Sequence, residues 1–143
     1  MSTMKVIYTG RVEVTGGRGG RATSDDGMLA TKLAFPKPLG GDGEGSNPEQ
    51  LFGAGYAACF ASTIGAVARA TGTKIGNVSV SAEVDMLHAG DARFDLAIRL
   101  VVRAADVSQS DLDTLVARAR DACPYSSATR DAIATTVRAE VVR

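Results

Sequence analysis

The stretch Gln50-LFGAGYAACFASTIGAV-Ala68 decides the fold. It runs 19 residues without a charge, about the length needed to cross a bilayer. Gly53, Gly55 and Gly65 interrupt it, Tyr56, Ser62 and Thr63 add polar groups, and no second segment of this kind follows. A helix with small residues on every side suits a tight helix–helix contact or a protein core better than lipid. Just upstream, Asn47 supplies an N-cap, Pro48 the first helical position and Glu49 an acid in the first turn. Gly72 provides the stop, so the helix is expected to run to about Ala70.

Working outward, residues Lys5 to Thr15 alternate through Val6, Tyr8, Val12 and Val14, which reads as a strand. A glycine cluster, GGRGG (16–20), carries Arg18. SDDGM (24–28) holds an Asp-Gly pair of the hairpin type, with Leu29 to Phe35 as the next strand. PKPLGGDGEGSNP (36–48) is too long for a simple turn and reads as a loop. Beyond the helix, Asn77 to His88 and Arg93 to Arg103 both alternate and form a long hairpin about Ala89 to Asp91. Ser108 then caps a second helix, whose apolar face is Leu112, Leu115, Val116, Ala119 and Ala122. Pro124 ends or restarts it, and Ile133 to Val142 closes the chain as a strand. This order is α+β, with mostly antiparallel sheets around two core helices, in one domain spanning 1–143.

Composition narrows the function. With 143 residues and 45% hydrophobic content the chain can build a real core. Sixteen basic and sixteen acidic residues cancel, and Trp is absent, so neither nucleic acid nor an anionic membrane surface is an expected partner. The N-terminal MSTMKVIYTG (1–10) has no basic segment leading into an apolar run, so a cytoplasmic location is expected. One His and no CxxC spacing leave no metal-ligand set, and no cofactor is expected. His88 ends a strand with no relay partner in view, which argues against a Cys–His hydrolase. The glycine cluster lacks the Gly-Lys-Ser/Thr of a phosphate loop.

Two thiols remain. Cys59 lies mid-way along the uncharged helix, where neither terminus can assist it, and Cys123 ends the charged segment RARDACPYSS (118–127). An ordinary thiol is only about 3% ionised at pH 7, so a reactive Cys59 needs a group that lowers its pKa. Arg18, in a loop whose backbone can approach another element closely, is the candidate activator, and Glu49 the acid that orients it. On these residues alone, the reading with Arg18 on a surface loop and Glu49 complementing the helix dipole stands ahead of it.

The strings GGRGG (16–20), DGML (26–29), PLGGDG (38–43), SNPEQLFGAGYAACF (46–60) and CPYSSATR (123–130) together resemble the organic hydroperoxide resistance (Ohr) proteins of the Ohr/OsmC family. The resemblance spans nearly the whole chain in order. It implies an intertwined homodimer and a peroxidase that reduces organic hydroperoxides through two thiols. Cys59 matches the thiol that attacks the peroxide and Cys123 the one that resolves the sulfenic acid into a disulfide. The family's activating pair falls on Arg18 and Glu49, and its electron donor implies a lipoylated protein or other dithiol. Phe35, Phe52, Tyr56, Phe60 and Tyr125 are candidates for an apolar substrate pocket. Gly55 and Tyr56 favour the Ohr branch over its sister OsmC branch; Gly53 and Arg120 depart from the family's usual Ala and His. The alternative is a non-catalytic thiol sensor or an apolar-ligand-binding protein of the OsmC type.

One geometric tension follows. Glu49 and Cys59 are ten positions apart, about 15 Å along an unbroken helix, so one Arg18 cannot easily serve both on a single straight helix. Either the helix breaks near Gly53 or Gly55, or Glu49 or Arg18 reaches Cys59 from a second subunit. A homodimer is the expectation.

Overall fold

The computed structural model describes residues 3–143, which fall into two compact units, Met1–Pro48 and Glu49–Arg143. In the first, strands β1 (Val12–Thr15), β2 (Arg21–Ser24) and β3 (Ala30–Lys32) form an antiparallel sheet in that order. Between β1 and β2 the chain makes one 3-10 turn, Gly17–Gly19, with Arg18 at its centre. Gly16 and Gly17 have φ of +77° and +58°, and a Cβ on Gly20 would lie 1.6 Å from the Thr15 carbonyl oxygen. The turn that carries Arg18 therefore closes only with glycine at these positions.

Two strands are shorter than their sequence patterns. β3 stops at Lys32 because the returning loop takes over its hydrogen bonds: Ser46 N–H donates to the Lys32 carbonyl and Ala34 N–H to that of Ser46. Of the alternating segment 5–15, only Val12–Thr15 joins a ladder. Met4, Val6, Ile7 and Tyr8 are exposed at 98%, 83%, 91% and 81%, and residues 3–11 are in no strand among the described residues. A pleated segment becomes a strand only when a neighbouring backbone completes its ladder.

The second unit is built on α1 (Pro48–Thr71), which starts at the boundary and runs without interruption through Gly53 and Gly55. It ends in a Schellman turn: Gly72 has φ of +69°, and Thr73 N–H donates to the Ala68 carbonyl. β4 (Val78–His88) and β5 (Phe94–Ala104) pair antiparallel from Val78↔Ala104 to His88↔Phe94. After α2 (Gln109–Ala122) and α3 (Pro124–Thr129), β6 (Ala134–Val141) pairs with β5, giving the order β4-β5-β6. This last pairing is parallel, because the helical crossover returns the chain in its original direction. Among the described strands the other pairings are antiparallel, while the isolated Leu33–Ser46 bridge is also parallel.

β5 is the middle strand, and its alternation sorts the sheet into two faces. Ile98, Leu100, Val102 and Ala104 pack against Tyr56, Phe60 and Ile64 of α1 and Leu112, Val116 and Ala119 of α2. The opposite face carries Arg99, bonded to both carboxylate oxygens of Asp85 at 2.6 and 2.9 Å, and Arg103, bonded to Glu140 at 3.2 Å. Ser108 caps α2 as expected, its Oγ accepting from Asp111 N–H. The buried stripe of α2 ends differently from the expected one: Ala122 is exposed and Cys123, one position on, takes the core place. Gly53 faces the sheet, where a Cβ would stand 3.3 Å from Val84 and 3.4 Å from Ala82. On the far side of α1, Ala54, Ala58, Ser62 and Ala66 are exposed in the single chain. By length and composition alone α1 could cross a membrane, but Tyr56, Phe60, Ile64 and Ala68 bury one side of it within its own unit.

Candidate thiol site

The sulfur of Cys123 lies 3.5 Å from that of Cys59, within hydrogen-bonding reach. Both thiols are free, Cys59 half-buried and Cys123 fully buried. Two local features bring them together. Cys59 sits in the fourth turn of α1, one residue before the buried Phe60. Cys123 is an extended residue between two helices, the C-cap of α2 and the N-cap of α3, with φ −72° and ψ 126°. Pro124 cannot donate a backbone hydrogen bond, which is why α2 stops and α3 restarts there.

The electrostatics of Cys59 are unfavourable for a thiolate. Burial pushes its thiol above the ordinary value, the adjacent Cys123 pushes it further, and a backbone N–H from Tyr125 pulls it part of the way back. Among the described residues, no cluster of His, Cys, Asp and Glu is arranged to hold a metal ion.

Around the sulfurs lies an aromatic cluster. Tyr125 packs at 5.6 Å from Tyr56 and 6.1 Å from Phe52, and Phe52 and Tyr56 meet edge-on at 6.4 Å. Tyr56 also touches Phe60, which is fully buried in the core. On the other side, a groove of about 350 Å³ is lined by Tyr56, Arg120, Ser126, Arg130 and neighbours. Arg130 is engaged there with the Arg120 carbonyl at 3.1 Å and with Asp121 at 3.8 Å. Of the remaining expected site residues, Glu49 stands in the first turn of α1. Arg18, on its glycine turn, and Phe35, 43% exposed, belong to the first unit.

Comparison with known proteins agrees with this fold. Residues 41–138 match the family model described as OsmC-like protein. An organic hydroperoxide resistance protein of Xanthomonas axonopodis pv. citri is 44% identical over 138 residues, covering 95% of this chain and 96% of its own. OhrB of Bacillus subtilis is 38% identical, covering 87% of this chain and 91% of its own. The crystal structure of an organic hydroperoxide resistance protein from Legionella pneumophila superposes with a TM-score of 0.92. It is 39% identical and covers 96% of this chain and 100% of its own.

The chain belongs to the Ohr/OsmC family. The family match at 41–138 takes in Glu49, both cysteines and the Tyr125–Arg130 segment, while Arg18 lies outside it. In this Ohr/OsmC chain, Ser126 is the site residue that sequence reasoning passed over. Its hydroxyl is buried and lies 2.7 Å from that of Tyr56. The signal was present in the CPYS string, but a serine there carries no visible partner until α3 is laid beside α1.

Proposed function

We propose that this protein is a thiol-dependent peroxidase that reduces alkyl and lipid hydroperoxides to alcohols. The observation that carries the reading is the 3.5 Å contact between Cys59 and Cys123, two free thiols brought together from positions 64 apart. Its relatives' names, organic hydroperoxide resistance proteins, support peroxide detoxification as the wider role. Cys59 thiolate attacks the terminal peroxide oxygen, forming a sulfenic acid as the O–O bond breaks and the alkoxide leaves, to be protonated as the alcohol. Cys123 then closes the disulfide with loss of water, and a lipoylated protein or other dithiol restores both thiols by exchange. The aromatic cluster of Phe52, Tyr56 and Tyr125, with Phe60 behind it, favours an alkyl chain at about 0.8 kcal/mol per buried CH₂.

The upward push on the Cys59 thiol creates a requirement. At neutral pH attack needs a cation beside the sulfur, and we assign that role to Arg18 oriented by Glu49. Because α1 is unbroken, the alternative of a kink at Gly53 or Gly55 falls away. We therefore assign Arg18 and Glu49 to the second chain of a cytoplasmic homodimer. The uncovered apolar residues of the 3–11 segment and the exposed Ala54–Ala66 stripe of α1 support a dimer.

Two experiments test this. Loss of tert-butyl hydroperoxide is followed with dihydrolipoamide, dithiothreitol or thioredoxin as reductant. Turnover with the first and none by Cys59→Ser is expected, while Cys123→Ser reacts once and stops as sulfenic acid. Equal single-turnover reaction in both serine variants would sink the assignment. Mixed dimers of Arg18→Ala and Cys59→Ser chains should regain activity that neither parent has, since one site then holds both intact groups. No regain would refute the shared site.

A further inference from the structure

The Gly55-Tyr56 pair singled out in the sequence meets α3 at two points. The Tyr56 phenol and the Ser126 hydroxyl are 2.7 Å apart, with the two residues only 1% and 6% exposed. A Cβ on Gly55 would lie 2.5 Å from the Tyr125 phenol oxygen and 3.1 Å from its ring carbon, so the Tyr125 ring rests directly on the α1 backbone. Between these contacts the backbone N–H of Tyr125 favours the Cys59 thiolate, against the upward push of burial.

These contacts matter because of how Cys123 is held. On its N-terminal side, α2 is fixed by Leu112, Leu115, Val116 and Ala119, all buried. On its C-terminal side, α3 has six residues, too few to be stable alone, and buries only Ser126 and Thr129. The Cys123 carbonyl accepts from Ser127 N–H at 2.9 Å, so a shift of α3 carries Cys123 with it. A sulfur–sulfur bond is about 2.05 Å, so the thiols must approach by about 1.5 Å from their 3.5 Å contact. Side-chain rotation covers that distance while α3 stays seated; if α3 lifts, the gap exceeds what rotation can close.

We propose that Gly55, Tyr56 and Ser126 are positioning residues for the second chemical step, seating α3 on α1 so that Cys123 remains within closing reach of Cys59. The inference rests on the peroxidase reading and specifies its resolving half. In that step the Cys123 sulfur attacks the Cys59 sulfenic sulfur, the S–S bond forms and the S–O bond breaks. Hydroxide leaves with the Cys123 proton as water; Cys123 is oxidised and the Cys59 sulfenic acid reduced. The seat governs closure far more than the first attack, to which α3 contributes the Tyr125 N–H that offsets part of the burial at Cys59.

The test separates the two steps by rapid mixing of reduced protein with cumene hydroperoxide. Sulfenic acid is trapped with dimedone and the disulfide is followed by thiol loss. Ser126→Ala should keep its rate of sulfenic acid formation within about twofold of wild type and close the disulfide at least about fivefold more slowly. Tyr56→Phe should slow closure to a similar degree, and the double variant no further, because both delete one shared contact. Slower closure should also let Cys59 over-oxidise to sulfinic acid at lower peroxide. Gly55→Ala, by displacing Tyr125, should slow closure independently of the hydroxyl pair. A peroxide-free reading accompanies these: the equilibrium of the Cys59–Cys123 disulfide with glutathione should shift toward the dithiol in Ser126→Ala. Wild type failing to consume peroxide would defeat the peroxidase reading while the glutathione equilibrium still tests the seat. Closure and equilibrium unchanged in all variants, or attack and closure slowed equally in Ser126→Ala, would overturn the inference. Should a single variant unfold by orphaning a buried hydroxyl, the Tyr56→Phe/Ser126→Ala double variant, which orphans none, carries the test.

Discussion

Residues 3–11 and the β4–β5 hairpin share the same period-two pattern of apolar residues, yet they end in opposite states. In the hairpin every residue from Val78 to His88 has a partner from Ala104 back to Phe94, and Ile98, Leu100 and Val102 are buried. In the N-terminal segment Val6 and Tyr8 keep the alternation, with apolar Ile7 between them, but both are over 80% exposed and join no ladder. Alternation states that a segment can be a strand. Whether it becomes one depends on a partner backbone, which the hairpin carries six to twenty-six residues away and the described N-terminal segment does not.

The largest expected effect lies in the hairpin. Leu100→Ala removes a side chain that is 1% exposed and should lower unfolding free energy by about 2–5 kcal/mol in chemical denaturation. Ile7→Ala, at 91% exposure, should leave the unfolding of dilute protein nearly unchanged. A Leu100→Ala cost below about 1 kcal/mol would erase the contrast.

Next in size is the effect on assembly. If the N-terminal segment finds its ladder on a second copy, Tyr8→Asp should raise the dimer dissociation constant at least about tenfold, read by sedimentation. An unchanged constant would mean that this alternation serves no strand at all.

Loss of the dimer should then reach the thiol. In the single chain, burial and Cys123 hold the Cys59 thiol above its ordinary range, so the neutral form dominates below that pKa. The rate of a dissociated Tyr8→Asp chain should keep climbing with pH beyond the usual thiol range. If Arg18 acts across a dimer as proposed, the wild type should level off at lower pH. Identical pH profiles would separate assembly from activation.

The smallest effect belongs to the outer face of the hairpin. Arg99 holds the exposed Asp85 carboxyl below the usual carboxylate range. A carboxyl with a lowered folded pKa adds stability above its unfolded value of about 3.9, and that stability is lost as pH falls through the folded value. Asp85→Asn should therefore alter thermal stability only slightly at pH 7 and flatten its decline in acid, because water screens the pair.

Much of the fold could be read from local pattern. Pro48 and Gly72 bounded α1, Ser108 capped α2, and the hairpin register follows from alternation about Gly90, because each signal is complete within a few residues. Ala122 against Cys123 was misjudged because helical periodicity fixes a buried stripe only to within a residue at a helix end. The short β3 escaped notice because its hydrogen bonds go to Ser46, supplied by a loop that shows no strand pattern.

At the site the division is sharper. By itself the sequence determined the element order, the identity of the two thiols and the family, since these depend on residue type and spacing along one chain. Only the tertiary structure decided that Cys123 would meet Cys59 at 3.5 Å, that Ser126 would meet Tyr56, and that burial would work against the Cys59 thiolate. Those facts depend on distance and desolvation between segments some seventy residues apart, and nothing in a local pattern encodes either quantity.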